Sequence, residues 1–308
     1  MEMAVQIFNS ILQTFLIFGL GALAMKLGML KKETLPALTR MAMDLFFPFL
    51  TFSTVTGLAG SQTSGKDLLL LPLLGAGMMA FGYAAGFLFK NLLFDRSRER
   101  TGTLHHICSI NNYVFLPIIV INSLWGGERV GLLLVMNVGF TIAFWTFGIL
   151  AFAGKITFKE ILQKVFSINI IAVFAALVFL LGGIPVPKVL AGVSSMVGQL
   201  AVPLMLILTG AALYECFGSL RENLKDAFIT VLIRLFILPV ILLFILKSLP
   251  ISRDLYEISA VIATMPAASA SVLVAARYGG SKEFAGQAIL LTTVLSIFTV
   301  PLLLRFFL

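Results

Sequence analysis

Apolar stretches of about 20 residues recur from one end of this chain to the other, and nothing else in it constrains the fold as tightly. At 1.5 Å per residue, each is long enough to cross a hydrocarbon core about 30 Å thick. Backbone polar groups in such a core must be paired internally, so the spans are helical. Ten stretches can be placed, at about 5–24, 34–57, 68–89, 102–125, 129–151, 167–184, 188–212, 225–247, 254–277 and 283–307. They use most of the 308 residues and leave short connections with no room for a soluble domain. Composition agrees, since only 12% of residues are charged where globular domains carry roughly 25%. The expected fold class is an all-α polytopic membrane protein whose function resides within the bilayer.

A net charge of +8 does not point to nucleic acid, because Lys and Arg sit in short clusters between apolar segments instead of along one face. They read as topology signals. Alternate connections carry 14 of them, from Lys26, Lys31 and Lys32 through to Arg277 and Lys282, against 6 on the other side. Positive-inside bias puts the richer side in the cytoplasm and, with an even number of spans, both termini outside the cell membrane. The N-terminal Met1-Glu2-Met3 lacks a basic region, so the first apolar run reads as a span and not as a cleaved signal. Cys108 and Cys216 lie in or beside helices and supply no disulfide framework.

Residues 154–166 are amphipathic, with Ile156, Phe158, Ile161, Leu162 and Val165 set against Lys159, Glu160, Gln163 and Lys164. This segment reads as a cytoplasmic interfacial connection. It separates residues 1–153 from residues 167–308, each with five spans. An odd number of spans makes the second half enter the membrane in the opposite orientation, the pattern of an inverted repeat. Prolines support the pairing: Pro48 and Pro203 interrupt the second and seventh spans 155 residues apart, and Pro117 and Pro266 interrupt the fourth and ninth 149 apart.

A proline is best tolerated in the first turn of a helix, so Pro117 and Pro266 are expected to begin second half-helices. Asn111 and Asn112 precede Pro117, and amides are costly in lipid unless they face protein or a polar cavity. Thr264, Ser269 and Ser271 surround Pro266 and can satisfy freed backbone groups. Two half-helix N-termini meeting near the midplane would suit an anion. The competing reading makes these prolines mere kinks. Neither break carries Asp, Glu or Lys, which argues against a simple cation antiporter. Arg40 and Asp44 share a face of the second span, and Arg234 lies deep in the eighth. Arg234 either contacts a substrate carboxylate or forms a structural pair with Asp44, the pair being preferred. Asn137, near the middle of the fifth span, makes an interhelical bond or a ligand contact. Consecutive His105 and His106 point in different directions on a helix, so no metal site is expected. Nucleotide-binding and hydrolase motifs are absent, so neither an enzyme nor a cofactor is expected.

The run Thr264-Met265-Pro266-Ala267-Ala268-Ser269 continues through Ala275-Ala276-Arg277-Tyr278-Gly279-Gly280 to Leu290-Leu291-Thr292-Thr293-Val294-Leu295-Ser296 and Thr299-Val300-Pro301. It resembles the auxin efflux carriers, a family that includes bacterial malate and malonate permeases and plant auxin exporters. Residues 111–117, with Leu124-Trp125-Gly126, are similar to that family's fourth helix, and residues 45–50 to its second. The resemblance spans nearly the whole chain. It implies ten helices in two inverted five-helix repeats, a fold of the bile-acid symporter type, with helices four and nine broken and crossing beside the substrate. A scaffold half, helices one, two, six and seven, would rock against a transport half. Asn111, Asn112 and Asn137 become the implied substrate contacts, lined by Ser53 and Thr54, with Thr264, Ser269 and Ser271 at the second break. The expected function is secondary transport of small organic anions, mono- or dicarboxylates such as malate, malonate or auxin-like acids, by alternating access. The alternative is a sodium-coupled organic anion symporter of the bile-acid type and, more distantly, a non-transporting membrane sensor. The expected partners are the organic anion and the lipid bilayer, with no nucleic acid. Homodimer formation and the coupling ion, H+ or Na+, stay open.

Overall fold

Serines open many of the helices. The hydroxyls of Ser64, Ser97, Ser167, Ser252 and Ser281 each accept the backbone N–H three residues on, pairing a donor that the first helical turn leaves free. The structure, a computed structural model, describes residues 2–61, 63–152, 166–221 and 224–308. Of the amphipathic connection expected at 154–166, all but Phe166 lies outside the described residues.

In chain order the helices are α1 (Glu2–Lys26), α2 (Leu35–Met41), α3 (Phe47–Thr56), α4 (Gly65–Phe89), α5 (Arg98–Ser109), α6 (Phe115–Trp125), α7 (Gly127–Ala143) and α8 (Ile168–Leu181). They continue as α9 (Lys188–Gly198), α10 (Ala201–Cys216), α11 (Lys225–Leu232), α12 (Leu238–Ser248), α13 (Arg253–Ala263), α14 (Ser271–Tyr278) and α15 (Lys282–Phe307). Among the described residues, six helical runs are long and apolar enough to cross a membrane: Val5–Lys26, Gly65–Leu92, Gly127–Gly148, Lys188–Cys216, Lys225–Ser248 and Lys282–Phe307. The helices expected at 102–125 and 254–277 are each broken, at 110–114 and at 264–270.

Not every proline breaks its helix. Pro48 and Pro239 each follow a π-helical turn, Ala42–Phe46 and Ile233–Ile237, that joins α2 to α3 and α11 to α12. A proline has no N–H for the carbonyl four residues back and its ring crowds that carbonyl. The turn ahead widens, so that Phe47 N–H reaches the Ala42 carbonyl and Leu238 N–H the Ile233 carbonyl. The helix continues with its face shifted. Pro203, by contrast, lies in the first turn of α10, just after a turn at Gln199 and Leu200.

Small residues set the helix packing, as expected where lipid is as apolar as the side chains and van der Waals contact drives association. A methyl group at Gly21 of α1 would overlap the Ile207 carbonyl of α10, and one at Gly210 of α10 would overlap the Phe18 carbonyl of α1. Gly139 of α7 meets the Pro72 carbonyl of α4 in the same way, and Gly82 of α4 meets the Cys108 carbonyl of α5. Two backbone-to-backbone seams result, α1 with α10 and α4 with both α5 and α7. Charged residues gather at helix ends: Arg129 at the start of α7 pairs with Asp254 at 2.6 Å and with Glu257, both of α13. Arg100 in α5 pairs with Asp226 of α11 at 3.0 Å.

The reciprocal seam can be tested by overpacking. Gly21→Val is expected to cost about 1–3 kcal/mol and to lower the melting temperature of the detergent-solubilised protein. Gly19→Val, on the same helix with no atom within 4 Å of its added carbon, should leave it unchanged.

Candidate functional site

The two breaks lie side by side. Asn111 and Ala267 form an antiparallel bridge, and the Asn112 N–H donates to the Pro266 carbonyl at 2.8 Å. Irregular backbone within a membrane protein's interior has to be satisfied by other protein groups, and each break does this for the other. The Ile262 carbonyl of α13 would be paired by residue 266 in a continuing helix, but Pro266 has no N–H. It accepts Asn111 Nδ2 at 2.6 Å instead, together with the Met265 N–H at 3.1 Å. The Ala267 N–H goes to Thr292 Oγ1 of α15 at 3.3 Å.

Pro117 is the third residue of α6, in its first turn as expected. Pro266 does not begin a half-helix. It lies inside the break, and α14 starts only at Ser271. The reason is the bridge: residues 266 and 267 must be extended to reach Asn111 and Asn112, which a helical first turn would prevent. Pro117 therefore stands beyond its break, whereas Pro266 stands within its own.

Arg234 closes the constellation from the π turn before Pro239. Its side chain is buried, 5% exposed, and its Nε and Nη1 donate to the Met265 carbonyl at 3.2 Å and the Cys108 carbonyl at 3.1 Å. Cys108 sits one residue before the end of α5. In an unbroken helix its carbonyl would accept the Asn112 N–H, which here goes to Pro266. One guanidinium thus ties the carbonyl sides of both breaks. The pairing of Arg234 with Asp44 does not form: Asp44 bonds Arg40 one turn away at 3.3 Å, on a face where both side chains are more than half exposed. The widened turn at Ala42–Phe46 leaves Asp44 on the outside of the bundle, while the one at Ile233–Ile237 leaves Arg234 inside.

The remaining expected residues divide by whether their polar atoms are already used. Ser53 and Thr54 both donate to the Leu50 carbonyl of their own helix, and Thr264 donates to the Val261 carbonyl. Ser271 meets His106 Nε2 at 3.1 Å, while His106 Nδ1 lies 2.7 Å from the Gly148 carbonyl. A carbonyl only accepts, so Nδ1 carries the proton and Nε2 accepts from the Ser271 hydroxyl when the ring is neutral. His106, which joins α5 to the start of α14, and Thr292, which holds the second break to α15, were not anticipated in these roles. The side chains of Asn112 and Ser269, both half-buried, have no hydrogen-bond partner among the described residues, and neither has buried Asn137 Oδ1. A narrow cleft opens beside the crossing. It is lined by Cys108, Ser109, Asn111 and Arg234 and does not reach the other expected substrate residues.

Bonding state separates the two asparagines. Asn111→Ala removes a donor from a buried carbonyl and is expected to cost about 1–2 kcal/mol. Asn112→Ala removes no side-chain hydrogen bond among the described residues and should stay within about 0.5 kcal/mol. Paired melting curves in one detergent would show the order.

Two stretches of the chain, residues 6–156 and 153–304, each match the family described as "Membrane transport protein". An uncharacterized transporter of Methanothermobacter thermautotrophicus is similar, 25% identical over 301 residues that cover 96% of each chain. Both breaks and every residue that joins them fall within the matched stretches. The chain thus belongs to the membrane transport protein family, that of the auxin efflux carriers, and is a multi-pass transmembrane transporter.

Proposed function

We propose that this transporter is a secondary carrier of small organic anions, mono- or dicarboxylates such as malate, malonate or auxin-like acids, working by alternating access in the cell membrane. The observation that carries the reading is the paired break, where Asn112 and Ser269 offer donors that the described residues leave unused. The half-helices α6 and α14 begin at this crossing, and each N-terminus presents partial positive charge to it. Neither break contains a carboxylate that would repel an anion. In this reading Asn112 and Ser269 donate to the substrate carboxylate, Asn137 adds an amide from α7, and Asn111, Thr264 and Ser271 hold the backbone around it.

The reading includes two inverted five-helix repeats, residues 1–153 and 167–308, and ten spans. Ser97 and Ser252, which cap the first halves of the broken helices, support the pairing of these two halves. The scaffold is then the seam-packed group α1, α2–α3, α8 and α9–α10, against which the crossing moves. In this reading Ser53 and Thr54 line the substrate path from α3, whose Thr54 carbonyl lies close to Gly131 of α7.

Counterflow in proteoliposomes preloaded with unlabelled malate, malonate or indole-acetate tests the proposal. Saturable uptake of one labelled acid is expected. A strict sodium requirement would favour a bile-acid type symporter, and ligand binding without counterflow would favour a sensor. Asn112→Ala should lower flux about tenfold or more, the scale of a lost charge-assisted hydrogen bond, at an unchanged melting temperature; unaltered flux would remove it from the site. Both termini should be extracellular, so a C-terminal reporter active only in the cytoplasm would overturn the topology.

A further inference from the structure

We propose that Arg234 is the carrier's built-in counter-cation, a fixed positive charge held between the carbonyl ends of the two broken helices where a bound coupling ion would otherwise sit. The transport arm of this inference rests on the carrier reading, whereas its structural arm does not.

Charge balance is the first argument. A guanidinium that is 5% exposed needs close to one unit of opposing charge. No carboxylate lies within ion-pairing distance of Arg234 among the described residues, and its hydrogen bonds go to the Cys108 and Met265 carbonyls. The Cys108 carbonyl belongs to the last turn of α5, and the Met265 carbonyl lies two residues past the end of α13. Each helix end carries about half a negative charge, and the two together match one guanidinium.

Geometry is the second. Broken-helix carriers coordinate Na+ with unwound carbonyls and half-helix C-terminal ends, and here N–H groups already occupy such carbonyls. The cleft beside them has no acidic lining residue. A sodium ion could bind there only by displacing the guanidinium and leaving it buried without partners. The positive charge thus stays with the protein through the cycle, and the substrate anion alone changes sides. Arg234 acts through the backbone of the crossing, as a positioning residue.

The test uses full-length wild type, Arg234→Ala and Arg234→Lys in matched proteoliposomes and in detergent. Wild-type counterflow should be equal in sodium, potassium and choline buffers. Arg234→Ala should lose about tenfold or more in flux, the scale expected on stripping partners from buried polar groups, with Arg234→Lys falling between. Millimolar guanidinium or methylguanidinium should restore flux and raise the melting temperature of Arg234→Ala alone, whereas equal urea or sodium chloride should not. A merely structural side chain would give the loss without the ion-specific rescue. Absence of rescue in both readouts, or wild-type flux that requires sodium, overturns the proposal. If wild type shows no counterflow, the carrier reading fails while the melting-temperature rescue still decides the role of Arg234. Should Arg234→Ala not fold, Arg234→Gln takes its place in the same two readouts.

Discussion

Peptide groups that leave a helix inside a membrane protein have no water to turn to, and two segments of this chain do so at the same place. The antiparallel contact of 110–114 with 264–270 resolves the problem by making each break the partner of the other. Its effects propagate outward. Once the Asn112 N–H turns to Pro266, the Cys108 carbonyl needs another donor, and Arg234 supplies it. Once Pro266 leaves the Ile262 carbonyl short of a donor, Asn111 is drawn in. A substitution at any one of these positions therefore tests a network rather than a single contact.

That network needs helices close enough to reach it, and glycine provides the distance. Gly82 lets α4 lie directly on the Cys108 carbonyl, and Gly139 lets α7 lie on α4, so the first break sits in a group of backbones in contact. The α1–α10 seam, reciprocal through Gly21 and Gly210, forms a second such group. Packed backbones move as units, because interiors at this density do not deform continuously. In the proposed carrier, one of these tight groups would be the stiff reference body and the other the body that carries the crossing.

Much of this was legible before any coordinates. Period, length and apolar content identify helices at each expected stretch, and the breaks fall within a few residues of Pro117 and Pro266 because proline removes a donor wherever it stands. Asn111 and Asn112 stand out because amides are costly in lipid. Pro117 stands beyond its break and Pro266 within its own, since proline marks where a helix cannot continue and does not say on which side of the break it stands.

The charged residues mark the boundary between the two kinds of information. Sequence by itself determined that Arg40, Asp44 and Arg234 stand in apolar helices and require partners, since the cost of a bare charge in lipid does not depend on the fold. Tertiary structure alone decided which partners. Arg40 and Asp44 settle with each other on an outer face, while Arg234 turns inward to carbonyls contributed by α5 and by the break after α13. Those acceptors are backbone atoms, identical in every residue, so no side-chain pattern could announce them. They become a binding place for a cation only when two helices stop at the same point in space.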